Sequence, residues 1–455
     1  MKDKTTKKVI VVGAGISGLM DAFFLFNAGF KISLYAKGPD PRKTANITEQ
    51  YSSTRGGGPG RFISRFEGEH YLGDSPMYPD MKGAFQNHVS QGGWLGKHPY
   101  EFTKFDKKWL TKRSLASDDK NKMQKTEKFY VEANGKAMQL WQEMISKSPE
   151  LFKDVDLLNT GILRLYDNPI LFNWAIKRHK KESVLERTLS LPEVSKEYPY
   201  FSEAVKRGYL RGGGIEAPGF SFNIHKFTDN LINFLELQGV EFNWNKEISK
   251  IKLSKRGLVM GLMCKNNLIT ADCYSINPGA YSDERFFKRT PAEGKIAGVV
   301  GRWMYMPSPK NFKRPVKIHG GTRIERGKKF PVVDINLTHF VDADGKEKLA
   351  VGGGYAYIGK TPFNLNNPAF KIIDAENRRT VRRFLGPTYR EALKKRNIQK
   401  SDETCARSFT YDDIPVMDNM KTVNRGILRI NIGTNTGTTT ISPLTAQETV
   451  RAFSA

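Results

Sequence analysis

The first regular pattern in the chain is the β-branched run Val9-Ile10-Val11-Val12, which predicts a strand over Lys8 to Val12. Leu19, Phe23, Phe26 and Ala28 then recur at helical spacing and predict a helix over Leu19 to Ala28, stopped by Gly29. Lys31 to Tyr35 returns to a strand pattern, so this opening reads β-α-β. A second set begins with the helical stripe Phe227, Leu231, Phe234 and Leu235 over His225 to Gln238, ended by Gly239. Short strand patterns follow at Val240 to Trp244, Ile248 to Leu253, Leu258 to Cys264 and Leu268 to Ala271, and Tyr274 to Ala280 reads as a strand entering a glycine turn. Residues 71–205 are charged, aromatic and helical in pattern, while 290–404 alternate strand patterns with turns such as Gly352-Gly353-Gly354. A last helix is expected to begin near Pro443.

Between the first strand and helix lies Gly13-Ala14-Gly15-Ile16-Ser17-Gly18. A Gly-x-Gly-x-x-Gly at this junction gives a tight turn, backbone N–H groups open to a pyrophosphate, and close helix–strand packing, with the helix N-terminus supplying partial positive charge. A Rossmann-type nucleotide loop is therefore expected. In such loops the second strand ends in an acid that holds the ribose. Here that place is Ala36, followed by Lys37.

The chain has 455 residues, 39% of them apolar, enough for two lobes rather than one core. Lys and Arg outnumber Asp and Glu by 73 to 47, a formal charge of +26 that attracts anionic partners without naming one. Three cysteines, Cys264, Cys273 and Cys405, have neither disulfide nor zinc-ligand spacing and fit a reducing cytoplasm. Asp21 interrupts the apolar run Val9 to Phe30, so neither a leader nor a membrane span is expected there.

These segments resemble the D-amino-acid oxidase superfamily of flavoproteins, and within it the branch of monomeric sarcosine oxidase and glycine oxidase. The resemblance runs through the glycine loop, Ser52 to Arg65, Gly239 to Phe242, Ile276 to Ser282, Cys405 to Asp412 with Ile414 to Met417, and Gly433 to Thr438. It implies an α/β fold in which a Rossmann-type FAD-binding domain (1–70, 206–289 and 405–455) is interrupted by a sheet-containing α+β substrate domain (71–205 and 290–404). FAD would contact Gly13, Ala14, Gly15, Ile16, Ser17 and Gly18, then Ser53, Thr54, Arg55 and Gly60, then Ile248 and Gly279, and finally Gly433, Thr436, Gly437 and Thr438. Cys405 has two readings: a small packing residue, or the thioether link to a covalent FAD, as its spacing from Thr410 and Asp412 implies.

The same resemblance places Arg61 and Arg65 near the flavin face, where a guanidinium would fork onto a substrate carboxylate. It places a lysine that favours reaction with molecular oxygen near Lys310 or Lys313, with Lys295, Lys317, Lys328 and Lys329 also nearby. The expected activity is FAD-dependent oxidation of an amine or amino acid to an imine, with oxygen as acceptor, in catabolism or in the biosynthesis of an unusual amino acid. One alternative is a flavoenzyme acting on a modified tRNA base, for which Lys104, Lys107, Lys108, Lys112 and Arg113 interleave with Phe102, Phe105 and Trp109. Another is a non-catalytic flavin-binding protein. The basic charge alone does not favour nucleic acid over a solvated surface.

Overall fold

The computed structural model describes residues 6–44, 57–68, 75–76, 83–312, 314–320, 323–325, 327–330, 334–360, 363–364 and 366–455. Of the expected FAD contacts, Ser53, Thr54 and Arg55 lie outside these residues, as does Lys313.

The opening strand Lys8–Val12 is central in a six-stranded sheet ordered Val416–Lys421, Ile427–Ile432, Cys273–Ile276, Lys8–Val12, Lys31–Tyr35, Glu241–Asn243. Its pairings with Cys273–Ile276 and Lys31–Tyr35 are parallel, as a β-α-β unit requires. The alternation of side chains explains why all four of Val9 to Val12 are apolar. Val9 and Val11 face a core built with the helices Ile16–Asn27 and Ile224–Leu237, whereas Ile10 and Val12 face the three-stranded layer of Ile248, Ile251, Val259 and Leu262.

The second lobe is an eight-stranded sheet ordered Gln399–Thr410, Ile296–Pro307, Glu347–Gly359, Ile335–Val341, Val316–His319, Ile162–Tyr166, Gly213–Ala217, Arg187–Leu189. Alternation again divides its residues. Leu163, Leu165, Val316, Ile318, Ile335, Leu337, Met304 and Met306 pack into one core, against Val381 and Phe384 of the helix Ala369–Phe384. The intervening Arg164, Lys317, Asn336 and Trp303 therefore share the opposite face. Their registers place them in one row across the strands, Arg164 beside Lys317, Lys317 beside Asn336, Asn336 beside Gly352 and Gly352 beside Trp303.

Three expectations are corrected. Gly213–Ala217, expected in the 206–289 segment of the nucleotide lobe, pairs with Ile162–Tyr166 in the second sheet. Gln399–Thr410 pairs with Ile296–Pro307, so Cys405 stands on the second sheet opposite Gly301 and the nucleotide lobe takes up the chain again only at Val416. The last helix spans Thr438–Ser454, with Pro443 inside it. Proline has no N–H to give the carbonyl four residues back. Here that carbonyl, Thr439 O, accepts from Trp141 Nε1 at 3.2 Å and Ser442 Oγ at 3.0 Å, so the break that Pro443 signals in the sequence is repaired by a neighbouring helix.

Candidate active site

A cavity of about 770 Å³ runs from the glycine loop to the polar face of the eight-stranded sheet. At the nucleotide end its wall contains Gly13, Gly15, Ile16, Ser17, Ile248 and Gly279. Gly13 has a φ of +101°, and a Cβ there would collide with the carbonyl of Asn277; a Cβ at Gly18 would strike the carbonyl of Gly13. Ala14 is fully buried beneath the loop. The helix that follows is capped by no side chain, Gly15 occupying its N-cap.

The loop is held from behind by a buried carboxylate. Asp21 accepts from Ser275 Oγ, from Asn277 Nδ2 at 2.9 Å and from Asn431 Nδ2 at 3.1 Å, and Asn277 in turn accepts from Ser17 Oγ at 2.8 Å. Burial pushes the Asp21 pKa up despite these donors. Ala36, at the end of the second strand, is buried. The carboxylate on the adjacent wall is that of Glu247, 2.9 Å from Lys37 Nζ.

At the far end the helix Thr438–Ser454 also begins without a side-chain cap, at Gly437, and Thr436 and Thr438 stand on the cavity wall. Gly433, with φ +83°, donates its N–H to Ser408 Oγ at 3.2 Å, and Thr434 bridges to Phe409. The turn between Gly433 and Thr438 is thereby fastened to the strand that carries Cys405. Two helix N-termini thus border one cavity, each offering partial positive charge to an anionic ligand. A loop whose glycines leave no room for a Cβ, together with two such termini, fits a dinucleotide whose pyrophosphate would be held at the first and whose ring would be held near the second.

Of the residues read from the sequence for substrate binding, Arg61 reaches the wall: its Nη1 donates to the carbonyls of Gly58 and Gly60, and its guanidinium lies 5.3 Å from the Trp303 ring centroid. Gly60 and Cys405 line the cavity as well, and Cys405 is half-buried. Arg65 does not line it; its guanidinium packs on Gly135 and lies 3.8 Å from Glu182. Lys310 is exposed in the turn after Ile296–Pro307, also off the cavity wall. Of Lys310 and Lys317 it is Lys317 that lines the cavity, with its Nζ 3.0 Å from Glu67 Oε2. Alignment of a poorly matched loop could not choose among neighbouring lysines, whereas the alternation of Val316-Lys317-Ile318 selects the one that faces the cavity.

Arg407 stands two residues after Cys405 in the stretch Cys405 to Asp412. Being two residues apart on a strand, both face the same side. Arg407 Nη1 donates to Gly354 O at 3.1 Å, and its guanidinium lies 5.7 Å from the Trp303 ring centroid and 5.1 Å from that of Tyr355. Among the described residues no carboxylate pairs with it. Glu67, buried, accepts from Lys317, from Arg164 Nη2 at 3.2 Å and from Ser64 Oγ at 2.7 Å. Burial alone would raise its pKa, but Lys317, Arg164 and Ser64 together hold it below the ordinary value.

The helix read as a possible nucleic-acid surface, Lys104–Asp118, spends part of that pattern internally. Trp109 is buried and donates to Lys295 O at 2.8 Å, and Arg113 is buried against Asp413 at 2.8 Å. Lys104, Lys107 and Lys108 remain exposed. Among the described residues no group of His, Cys, Asp and Glu has the arrangement of a metal site, and no helix is long and apolar enough to cross a membrane.

A glycine loop at one end of a long cavity and a polar sheet face at the other define a two-lobed dinucleotide-binding protein. The chain belongs to the family of FAD dependent oxidoreductases, whose pattern matches residues 8–452. The D-amino acid dehydrogenase of Paramagnetospirillum magneticum is 24% identical over 283 residues, a match that spans 60% of this chain and 61% of that protein. In fold the chain is similar to glycine oxidase from Bacillus cereus (TM-score 0.58, 14% identity, 99% of this chain and 95% of that one). It is also similar to a modified fructosyl peptide oxidase from Aspergillus nidulans (TM-score 0.61, 14% identity, 98% and 90%).

Proposed function

We propose that the chain oxidises an amine or amino acid to an imine, with molecular oxygen as the acceptor. The observation that carries this reading is Arg407, a guanidinium on the cavity wall held by a carbonyl and two aromatic rings, with no carboxylate paired to it among the described residues. A site of that kind is suited to a substrate carboxylate, which takes the two parallel N–H donors. Arg61, across the same Trp303 ring, adds a second guanidinium.

Bound FAD supplies the two-electron acceptor for the carbon that bears nitrogen. The protein contributes orientation and charge. Arg407 and Arg61 fix the carboxylate, so that the neighbouring carbon is presented in one pose. Trp303 and Tyr355 flank that position and displace water. The N-terminus of Thr438–Ser454 stabilises negative charge that develops at its end of the cavity. Lys317, steadied by Glu67, places an ammonium on the wall, where positive charge favours electron transfer to oxygen. This is the role that the sequence reading gave to Lys310. The likeness to a D-amino acid dehydrogenase and to two oxidases supports the substrate class and leaves the acceptor as part of the proposal.

The test is an anaerobic titration of the purified protein with a panel of amino acids and N-methylated amines. Bleaching of the flavin band by at least one of them, and recovery of colour on admitting air with release of peroxide, are the expected results. A flavin that no amine reduces refutes the reading, and one that is reduced but recovers only with an artificial acceptor makes the chain a dehydrogenase. In a chain that passes this test, Arg407→Lys should raise the apparent substrate constant by about 10-fold or more, the loss expected for a charge-assisted pair worth about 1.5–3 kcal/mol. An unchanged constant removes Arg407 from substrate binding.

A further inference from the structure

We infer that Asp334 selects substrates that carry a second, cationic group beyond the carboxylate, as a basic amino acid does. The inference rests on the proposed oxidation of an amino acid and adds which amino acids the cavity accepts.

Asp334 immediately precedes Ile335, whose side chain enters the core; the carboxylate next to it lies on the cavity wall. Its partner there is His319, with Nδ1 3.3 Å from Asp334 Oδ2. The other ring nitrogen of His319 lies 3.2 Å from Arg164 Nη1. A guanidinium only donates, so His319 Nε2 must accept and the ring proton sits on Nδ1, directed at Asp334. Burial lowers the His319 pKa, Arg164 and Lys317 add to that effect, and Asp334 opposes it without reversing it. The imidazole therefore orients Asp334 at neutral pH without cancelling its charge.

The nearby cations are engaged elsewhere. Lys317 Nζ contacts Glu67 Oε2, and Arg164 Nη2 contacts Glu67 Oε1 and Ser64 Oγ. Among the described residues no Lys or Arg touches Asp334. Burial would raise its pKa, but His319, Lys317 and Arg164 together bring it down to about 2. It is thus a fixed anion on the wall of the cavity, with a side chain 31% exposed. Filling the space beside it with an apolar side chain would strip water from a carboxylate and return nothing, whereas an ammonium or guanidinium would compensate it.

The spacing suits one molecule. Arg407 reaches Gly354 O, and Gly354 belongs to the strand Glu347–Gly359, which pairs directly with the strand that Asp334 precedes. Neighbouring strands lie roughly 4.8 Å apart, which with the reach of the two side chains sets the charged groups roughly 5–10 Å from each other. An amino acid whose carboxylate takes Arg407 would bring the end of a three- or four-carbon side chain to Asp334.

The experiment compares lysine with norleucine, which has the same four-carbon chain without the ammonium, using both enantiomers and the FAD-loaded protein under anaerobic conditions. Binding is followed by perturbation of the flavin band and reduction by its bleaching. Lysine of one hand should bind about tenfold more tightly than norleucine, Asp334→Asn should bring the two within about twofold, and Asp334→Glu should keep the preference. Equal binding of the two ligands in the parent protein overturns the inference and leaves the oxidation of amino acids standing. A lysine preference that survives Asp334→Asn overturns the assignment to Asp334. If neither ligand binds while other amines bleach the flavin, the inference fails alone; if nothing bleaches it, the proposed function fails as well.

Discussion

At the residue scale, Cys405 shows how much a single position owes to its strand. Its spacing from Thr410 and Asp412 suggests a thioether to the flavin, and the fold stands it half-buried on the cavity wall opposite Gly301, with Arg407 on the same face. Acid precipitation of the protein should leave the yellow colour in the pellet, with the flavin mass on the peptide containing Cys405. A colourless pellet would make Cys405 a packing residue and leave the rest of the site unaffected. The ribose end is decided by single residues as well. Ala36 brings no acid, but its N–H donates to Asn243 O and its carbonyl accepts from Lys246 N–H. That stitching carries Glu247, in the turn that precedes Ile248–Leu253, to the wall beside Lys37, so a carboxylate reaches the nucleotide end of the cavity from that turn.

At the scale of the element, the nucleotide loop depends on how closely a helix can approach a strand. Gly18 sits in the first turn of Ile16–Asn27 against the Gly13 carbonyl, and Asp21, one turn further, ties the same helix to Ser275, Asn277 and Asn431. Gly18→Ala forces helix and loop apart. The expected cost is about 1–3 kcal/mol, the usual penalty for overpacking, seen as a lower melting temperature together with weaker FAD retention. A variant that melts and holds FAD as the parent does would show that the loop has slack that the close contact hides. Element boundaries were the least legible part of the chain. Pro443 marks a helix start in the sequence and lies within the helix in the structure, because Trp141, about 300 residues earlier in the chain, supplies the missing donor.

At the scale of the whole molecule, Glu67 joins the lobes. It follows the strand Gly60–Ser64, whose Phe62 carbonyl accepts from Thr440 Oγ1 of the helix Thr438–Ser454, and it accepts from Arg164 and Lys317 on the eight-stranded sheet. Since its folded pKa lies below the ordinary 4.5, ionised Glu67 contributes stability that is fully present above that value and is lost as pH falls through the lower, folded one. Glu67→Gln leaves the buried Arg164 and the half-buried Lys317 without their anion and should cost about 3–5 kcal/mol at pH 7. Chemical denaturation as a function of pH checks this: the gap between parent and variant should close as the solution is acidified below pH 4.5. A gap that persists unchanged into acid would mean that the carboxylate is not the link.

The sequence by itself determined what depends on neighbours along the chain. The β-branched run, the helical stripes and the glycines of the first turn specify a β-α-β nucleotide loop, because periodicity and backbone freedom are local properties. It also singled out Arg61 and Cys405, which line the cavity. Only the tertiary structure decided which charged residues meet. Lys317 rather than Lys310 reaches the cavity because alternation on Val316–His319 is read against a core whose position depends on strands as distant in the chain as Ile162–Tyr166. Arg164, Asn336 and Trp303 come from three separate strands and share a row only through pairing registers. Pairing of distant strands is long-range and leaves no mark on the spacing of residues within any one of them, so the face that would read the substrate was assembled by the fold.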